Sequence, residues 1–194
     1  MSVKKYLVKC CHRKEIKTFI ETWHYSKNIN GVISDYSFKL IDKDQIIGAM
    51  IYGRIAMANV WKKYVNSENE LIELRRLCCI DDTPKNTESY FIGYTLRWLK
   101  KNSNIKQVIS YADETYNHSG TIYKASNFKH IGMTNKGKVI VYNNKLYHDK
   151  TIRTKYKGKL KPYCLKIKDA LNTGKAYYKN TLGKHIYIYQ LKKD

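Results

Sequence analysis

Acidic side chains are scarce in this chain. Its 194 residues carry 16 Asp and Glu against 37 Lys and Arg, a formal net charge of +21 with a pI near 9.7. Solubility does not require that much charge of one sign, and a polyanionic partner is its usual cause. The sequence also has no run approaching the roughly 20 apolar residues of a membrane span. Its amino terminus has no signal-peptide apolar segment. The five cysteines, Cys10, Cys11, Cys78, Cys79 and Cys164, fall as two adjacent pairs and a singleton. That spacing fits neither a zinc site nor a disulfide framework. These absences exclude a helical membrane protein, a disulfide scaffold and a zinc module. Reduced thiols in a cytoplasmic protein are expected, with Cys78 and Cys79 in a buried strand. No internal repeat is present.

What is there begins with 43% hydrophobic residues, enough for a packed core, in a length that fits one domain or one domain with an appendage. Charge is uneven: residues 1–128 carry 20 basic and 13 acidic side chains, whereas 129–194 carry 17 and 3. An A/T-rich genome explains abundant lysine but not the shortage of acids in the last third. From Asp149 onward lysines interleave with tyrosines, among them Tyr156, Tyr163, Tyr177 and Tyr178. Lysine neutralises phosphate while a tyrosine ring packs on a base or sugar, so the pattern suits a nucleic acid. The expected division is a catalytic domain over 1–148 and a basic, Tyr-rich extension over 149–194, with Lys150, Arg153, Lys155, Lys157, Lys159 and Lys161 on the nucleic acid.

Periodicity alternates α with β. Val3–Lys9 reads as a first strand and Lys14–Thr22 as a helix. Tyr36–Ile41 and Gln45–Tyr52 form a hairpin across Asp42-Lys43-Asp44, which is good turn chemistry. Glu70–Ile80 reads as a central strand, and Ser89–Asn102 has apolar residues at helical spacing. Val139–Tyr142 and Lys145–Tyr147 flank Asn143-Asn144 as a second hairpin. Ile186–Leu191 regains apolar periodicity.

The most informative segment is Ser110–Gly132, SYADETYNHSGTIYKASNFKHIG. A short buried strand leads into a polar loop and then a short helical stretch. It gathers an acid, Asp113, with Asn117, His118, Ser119 and Tyr123 at the carboxyl end of a strand, where open α/β sheets put their chemistry.

Strand ELRRLCC, loop DDTPKNTES, helix YFIGYTLRWLKK, strand VISYAD and then NHSGTIYKASNFKHIG resemble the GNAT acyltransferase fold, an α/β mixed sheet flanked by helices. Together with WHYSK and GAMIYG, over roughly residues 15–150, they resemble the phage Mom family. That resemblance implies conversion of adenine in double-stranded DNA to a carbamoylmethyl form that blocks host restriction, in the cytoplasm of the bacterial host. It implies a catalytic role for Asp113 of SYAD, in activating or orienting the adenine amine. His24 and Tyr25 of WHYSK fall on the acceptor side, against an extruded base. Tyr123 stands six residues after Asn117, where GNATs place a tyrosine that protonates the leaving group. Ser110, Asn117, His118 and Ser119 are binding candidates. Arg75 and Arg76 alternate along a strand, so one faces the cleft, and Arg75 is taken as the phosphate or carbonyl ligand.

One departure bears on the donor. GNATs cradle the coenzyme A pyrophosphate with a glycine-rich loop at a helix N-terminus, but here the loop reads Thr83-Pro84-Lys85-Asn86-Thr87-Glu88-Ser89, without glycine. Lys85, Thr87 and Ser89 remain to hold a phosphate. Acetyl also lacks the amide nitrogen of the product, whereas glycyl supplies two carbons and a nitrogen. Glycyl-tRNA is therefore the expected donor and acetyl-CoA the second. No metal is expected, although His24, Asp113 and His118 are the residue types of a two-histidine, one-carboxylate site. The competing classes are an ordinary acetyl-CoA-dependent N-acetyltransferase and a non-catalytic nucleic-acid-binding protein.

Overall fold

A computed structural model describes residues 3–192. The described chain divides into two compact units: residues 3–112, 119–132 and 185–192 form the first, and residues 113–118 and 133–184 the second. The strands are β1 (Leu7–Cys11), β2 (Tyr36–Asp42), β3 (Gln45–Gly53), β4 (Leu71–Cys79), β5 (Gln107–Asp113), β6 (Lys129–Met133), β7 (Gly137–Tyr142), β8 (Lys145–His148), β9 (Tyr177–Thr181) and β10 (Lys184–Gln190). The helices are α1 (Arg13–Trp23), α2 (Thr87–Asn102), α3 (Thr121–Ala125) and α4 (Pro162–Asn172). Val3–Lys5 is a 3-10 turn, so the first strand starts at Leu7 rather than Val3.

The first unit is built on a seven-stranded mixed sheet of order β1-β2-β3-β4-β5-β10-β6. Strand β3, GAMIYG at its core, explains the layering. Ala49 and Ile51 point to one face and pack with Ile16 and Ile20 of α1. Met50 and Tyr52 point to the other, with Phe91, Ile92, Leu96 and Leu99 of α2. A strand covered on both faces reads as a continuous apolar run rather than an alternation. The Tyr52 phenol is fully buried yet satisfied, 2.7 Å from the Thr95 hydroxyl. Helix α1 begins with a capping box: His12 Nδ1 accepts from the Lys14 amide, and Glu15 Oε1 accepts from the His12 amide at 2.7 Å. The turn Asp42-Lys43-Asp44 has positive φ at Lys43 (45°) and Asp44 (67°), the twist a two-residue hairpin requires.

The second unit is a three-stranded sheet, β8-β7-β9, with α4 on one face. Ile140 of β7 meets Ile167, Ala170 and Ala176, with Tyr142 and Tyr147 at the margin. Pro162 opens α4, where its missing N–H costs nothing. Asn143 and Asn144 both have positive φ, closing the β7–β8 hairpin as expected.

The units do not part after residue 148, because the Ile140–Ile167 cluster ties α4 to β7 across that point. Nor is the basic stretch a terminal tail: it leaves after β6 and returns into β10, which lies between β5 and β6 in the large sheet. It is an insert in a hairpin. All five cysteines are free thiols, and burial pushes Cys11 and Cys78 up to about 12, well outside the reactive range.

Candidate active site

Strands β4 and β5 are parallel, but they pair only over Leu71–Leu74 against Gln107–Ser110. Beyond that point the two strands run on without a shared register. On its other edge β4 carries a bulge: Ile51 faces Arg76 and Tyr52 faces Leu74, which leaves Arg75 as the extra residue. A bulge re-aims side chains, so the plain alternation expected of Arg75 and Arg76 does not hold. Arg75 Nη1 donates to the Arg54 carbonyl at 2.7 Å and lies 3.5 Å from Glu73 Oε2. Its Nε is buried without a hydrogen-bond partner among the described residues. Arg76 donates to the Arg75 carbonyl at 2.7 Å and to Asn28 O at 3.4 Å. Burial draws Arg76 below its usual value, with the Tyr25 phenol acting in the opposite sense.

Ser110 is the last residue of the paired stretch. Fully buried, it donates to the Leu74 carbonyl at 3.1 Å and shares a hydrogen bond with the Tyr123 phenol. Desolvation pushes Tyr123 up to about 12, against the opposing pull of Ser110. A phenol of that kind keeps its proton near neutrality. Its ring is fixed by Phe128 and Tyr187, at centroid distances of 5.5 and 5.3 Å. Glu73 acts on both Tyr123 and Tyr111 and raises each.

At the end of α1, the His24 ring is buried and its Nδ1 accepts from the Ser26 amide at 3.1 Å. The neutral imidazole therefore carries its proton on Nε2. The Tyr25 ring lies 4.3 Å from that of His24 and is half-exposed, as is Trp23. Neither ring belongs to the core.

A cleft of about 380 Å³ opens at the carboxyl end of β4. Asp81, Lys85, Glu88, Ser89 and Ile122 are among its lining residues. The Thr87 hydroxyl is committed to the Pro84 carbonyl at 2.7 Å, and that of Ser89 to Asn86 O at 3.0 Å. One lysine thus faces two carboxylates, and both hydroxyls are already donated to the loop. These residues do not suit a coenzyme A pyrophosphate.

Asp113, Asn117 and His118 belong to the second unit. Asp113 Oδ1 accepts from the Thr115 amide at 3.1 Å, and Oδ2 lies 2.9 Å from Lys184 Nζ. Asn117 closes the short turn with φ of 58°, and the His118 amide donates to Asp113 O at 3.2 Å. Ser119, in the first unit, contacts the Thr121 hydroxyl at 3.2 Å, and its carbonyl accepts from the Tyr187 phenol at 2.7 Å. The cationic residues Lys150 and Arg153 lie on and just after a 3-10 turn, with Arg153 paired to Asp149. Lys155–Lys161 follow as a tight turn around Lys157-Gly158, with Lys157 and Lys161 near the Tyr156 ring at 5.8 and 5.3 Å.

Glu73 escaped the sequence reading. Its signal was present: a carboxylate between Ile72 and Leu74, in the apolar first half of β4, in a chain poor in acids. Among the described residues no three His, Cys, Asp or Glu side chains are grouped to hold a metal ion.

The backbone is similar to those of N-acetyltransferases. One from Staphylococcus aureus Mu50 superposes with a TM-score of 0.54 at 14% identity, covering 96% of this chain and 99% of its own. NAA60 of Arabidopsis thaliana, solved with acetyl-CoA, gives 0.55 at 10% identity over 95% and 98%. The fold is thus that of the GNAT acyltransferases. In sequence, the methylcarbamoylase mom of Escherichia phage Mu is 29% identical over 146 residues, 73% of this chain. That stretch spans 59% of the relative's length. The Mom protein family matches residues 5–194, nearly the whole described chain, and to that family this chain belongs.

Proposed function

We propose that this chain is a DNA adenine-modifying transferase that takes a glycyl group from glycyl-tRNA and leaves N6-carbamoylmethyladenine in double-stranded phage DNA. Family membership carries the acceptor: the phage Mu relative bears the name methylcarbamoylase. The donor rests on the cleft at the end of β4, whose Asp81 and Glu88 disfavour a pyrophosphate and whose Ser89 hydroxyl is already donated to the loop. The product protects phage DNA from restriction in the host cytoplasm.

The adenine leaves the stack, since its amine is otherwise paired, and packs against Tyr25 and His24. That amine is a weak nucleophile, because its lone pair is delocalised into the ring. Asp113 accepts a proton from it as it attacks the glycyl ester carbonyl. Amides of β4 beyond Leu74, unpaired with β5, stabilise the oxyanion. The carbon–oxygen ester bond breaks, and Tyr123 gives a proton to the departing ribose oxygen. The glycine amine of the N6-glycyl adenine then attacks ring carbon 6 through a five-membered ring, and the bond from carbon 6 to the original nitrogen breaks. No atom is lost: the glycine nitrogen ends on the ring and the original adenine nitrogen becomes the amide.

Purified protein, duplex DNA, glycine, ATP, glycyl-tRNA synthetase and its tRNA test this directly. Nitrogen-15 glycine is expected to label the ring-bound nitrogen of the adduct, read by fragment-ion mass spectrometry of the nucleosides. Absence of the glycine nitrogen sinks the aminoacyl route. Acetylated adenine from acetyl-CoA alone favours the second donor, which the GNAT fold supports. Unmodified DNA under both conditions favours a nucleic-acid-binding protein without catalysis.

A further inference from the structure

The three-stranded sheet of the second unit has one face covered by α4 and one not. Ile140, Tyr142 and Tyr147 pack toward the helix, so alternation puts Val139 and Val141 on the opposite face. Register adds Leu146 and His148 from β8, and Tyr177 and Lys179 from β9. One row reads Leu146, Val141, Tyr177; the next reads His148, Val139, Lys179. Leu146 and Tyr177 are 51% and 60% exposed, so this face stands open to solvent. Residues 133–184 around it carry 14 basic side chains and two acidic ones.

A flat apolar face with an exposed ring, set in strong positive charge, does not match a duplex. Duplex bases hide their faces in the stack and offer cations only phosphates and groove edges. Unpaired bases show their faces, and aromatic platforms on cationic surfaces take them. Three strands about 4.8 Å apart span roughly the width of one base with its sugar. In the reaction proposed above, the partner with permanently unpaired bases is the aminoacylated RNA. We infer that the Leu146–Val141–Tyr177 face binds the unpaired 3′ end of the donor tRNA, one base stacking on Tyr177 and Lys179 meeting the adjoining phosphate. The inference rests on the aminoacyl-tRNA reading and is separate from the cationic turn at Lys155–Lys161.

Its test uses the full chain and two deacylated glycine tRNA transcripts, one intact and one lacking its four unpaired 3′ nucleotides, with a DNA duplex alongside. Tyr177→Ala is expected to weaken intact tRNA roughly five- to hundredfold, down to the affinity of the trimmed RNA. Trimmed RNA and duplex are expected to bind as before, and Tyr177→Phe to keep wild-type affinity. A photoreactive uridine at the 3′ end is expected to crosslink to the wild-type peptide Ala176–Lys179, which needs no variant to fold. Undiminished binding of intact tRNA by Tyr177→Ala, an equal loss on trimmed RNA or duplex, or crosslinks confined to other peptides would overturn the inference. No transfer is measured, so loss of the glycine label in DNA condemns the donor reading, and an unchanged Tyr177→Ala condemns this one.

Discussion

The carboxylate of Asp113 lies 2.9 Å from the ammonium of Lys184, so the last residue of β5 is paired with the first residue of β10. The same carboxylate caps the turn that follows it. Anchor and proton acceptor are therefore competing roles for one side chain, and substitutions separate them. Asp113→Asn keeps the cap oxygen and loses the ion pair, which is half-exposed on the lysine side and worth at most about 1 kcal/mol. Lys184→Met loses the same pair and leaves the carboxylate. DNA modification, read by nucleoside mass spectrometry, is expected to fall by about 100-fold or more in Asp113→Asn and to persist in Lys184→Met. Equal losses in both variants assign Asp113 to anchoring alone.

Tyr123→Phe removes a buried phenol while keeping the ring against Phe128 and Tyr187. Losing its bond to Ser110 costs about 1 kcal/mol, while adduct formation is expected to drop by about 100-fold as the leaving oxygen loses its acid. Near-wild-type adduct formation removes Tyr123 from the chemistry.

A pH dependence follows from the same phenol. Its folded value of about 12 stands above the ordinary 10. The unfolded chain thus loses the proton first, so this contribution is full below about pH 10 and disappears as pH rises through 12. Urea midpoints are expected to fall more steeply over that window in wild type than in Tyr123→Phe. Identical slopes contradict the burial argument for this tyrosine.

Replacing Lys155, Lys157, Lys159 and Lys161 together with Gln is expected to weaken duplex binding similarly across sequences. The plot of log affinity against log salt is expected to flatten by about one unit per lost phosphate contact. An unchanged slope moves the duplex path elsewhere.

Gly120 has φ of +74°, and a Cβ there would stand 2.2 Å from Tyr187 Cε2. Gly120→Ala thus combines a left-handed backbone with overpacking against a buried ring. Denaturant titration is expected to show a loss of about 2–4 kcal/mol. A loss below 1 kcal/mol means that Tyr187 can move aside.

Local chemistry made much of this fold readable. The turns at Asp42–Asp44 and Asn143-Asn144 announce themselves by residue type, and Phe91, Ile92, Thr95, Leu96 and Leu99 trace one helix face. Helix α4 was missed because Cys164, Ile167 and Ala170 form only a thin apolar stripe between lysines. Strand β10 could be seen as a periodic segment, but its partner could not, since pairing with distant strands leaves no local trace. The bulge at Arg75 is equally silent, because ELRRL reads as plain alternation until a neighbouring strand fixes the register. At the cleft beyond β4 the sequence revealed a loop without glycine. It did not reveal that Thr87 and Ser89 spend their hydroxyls on backbone carbonyls, a matter of side-chain geometry.

Placing β10 between β5 and β6 has a consequence for synthesis on the ribosome. The large sheet lacks an interior strand until residues 184–190 have been made, long after β5 has emerged. Over that interval β5 and β6 present unpaired edges, and the place that Tyr187 fills under Gly120 stays vacant. Such edges are the surfaces through which nascent chains associate wrongly. The strong positive charge of the intervening segment sets repulsion between neighbouring copies during that wait.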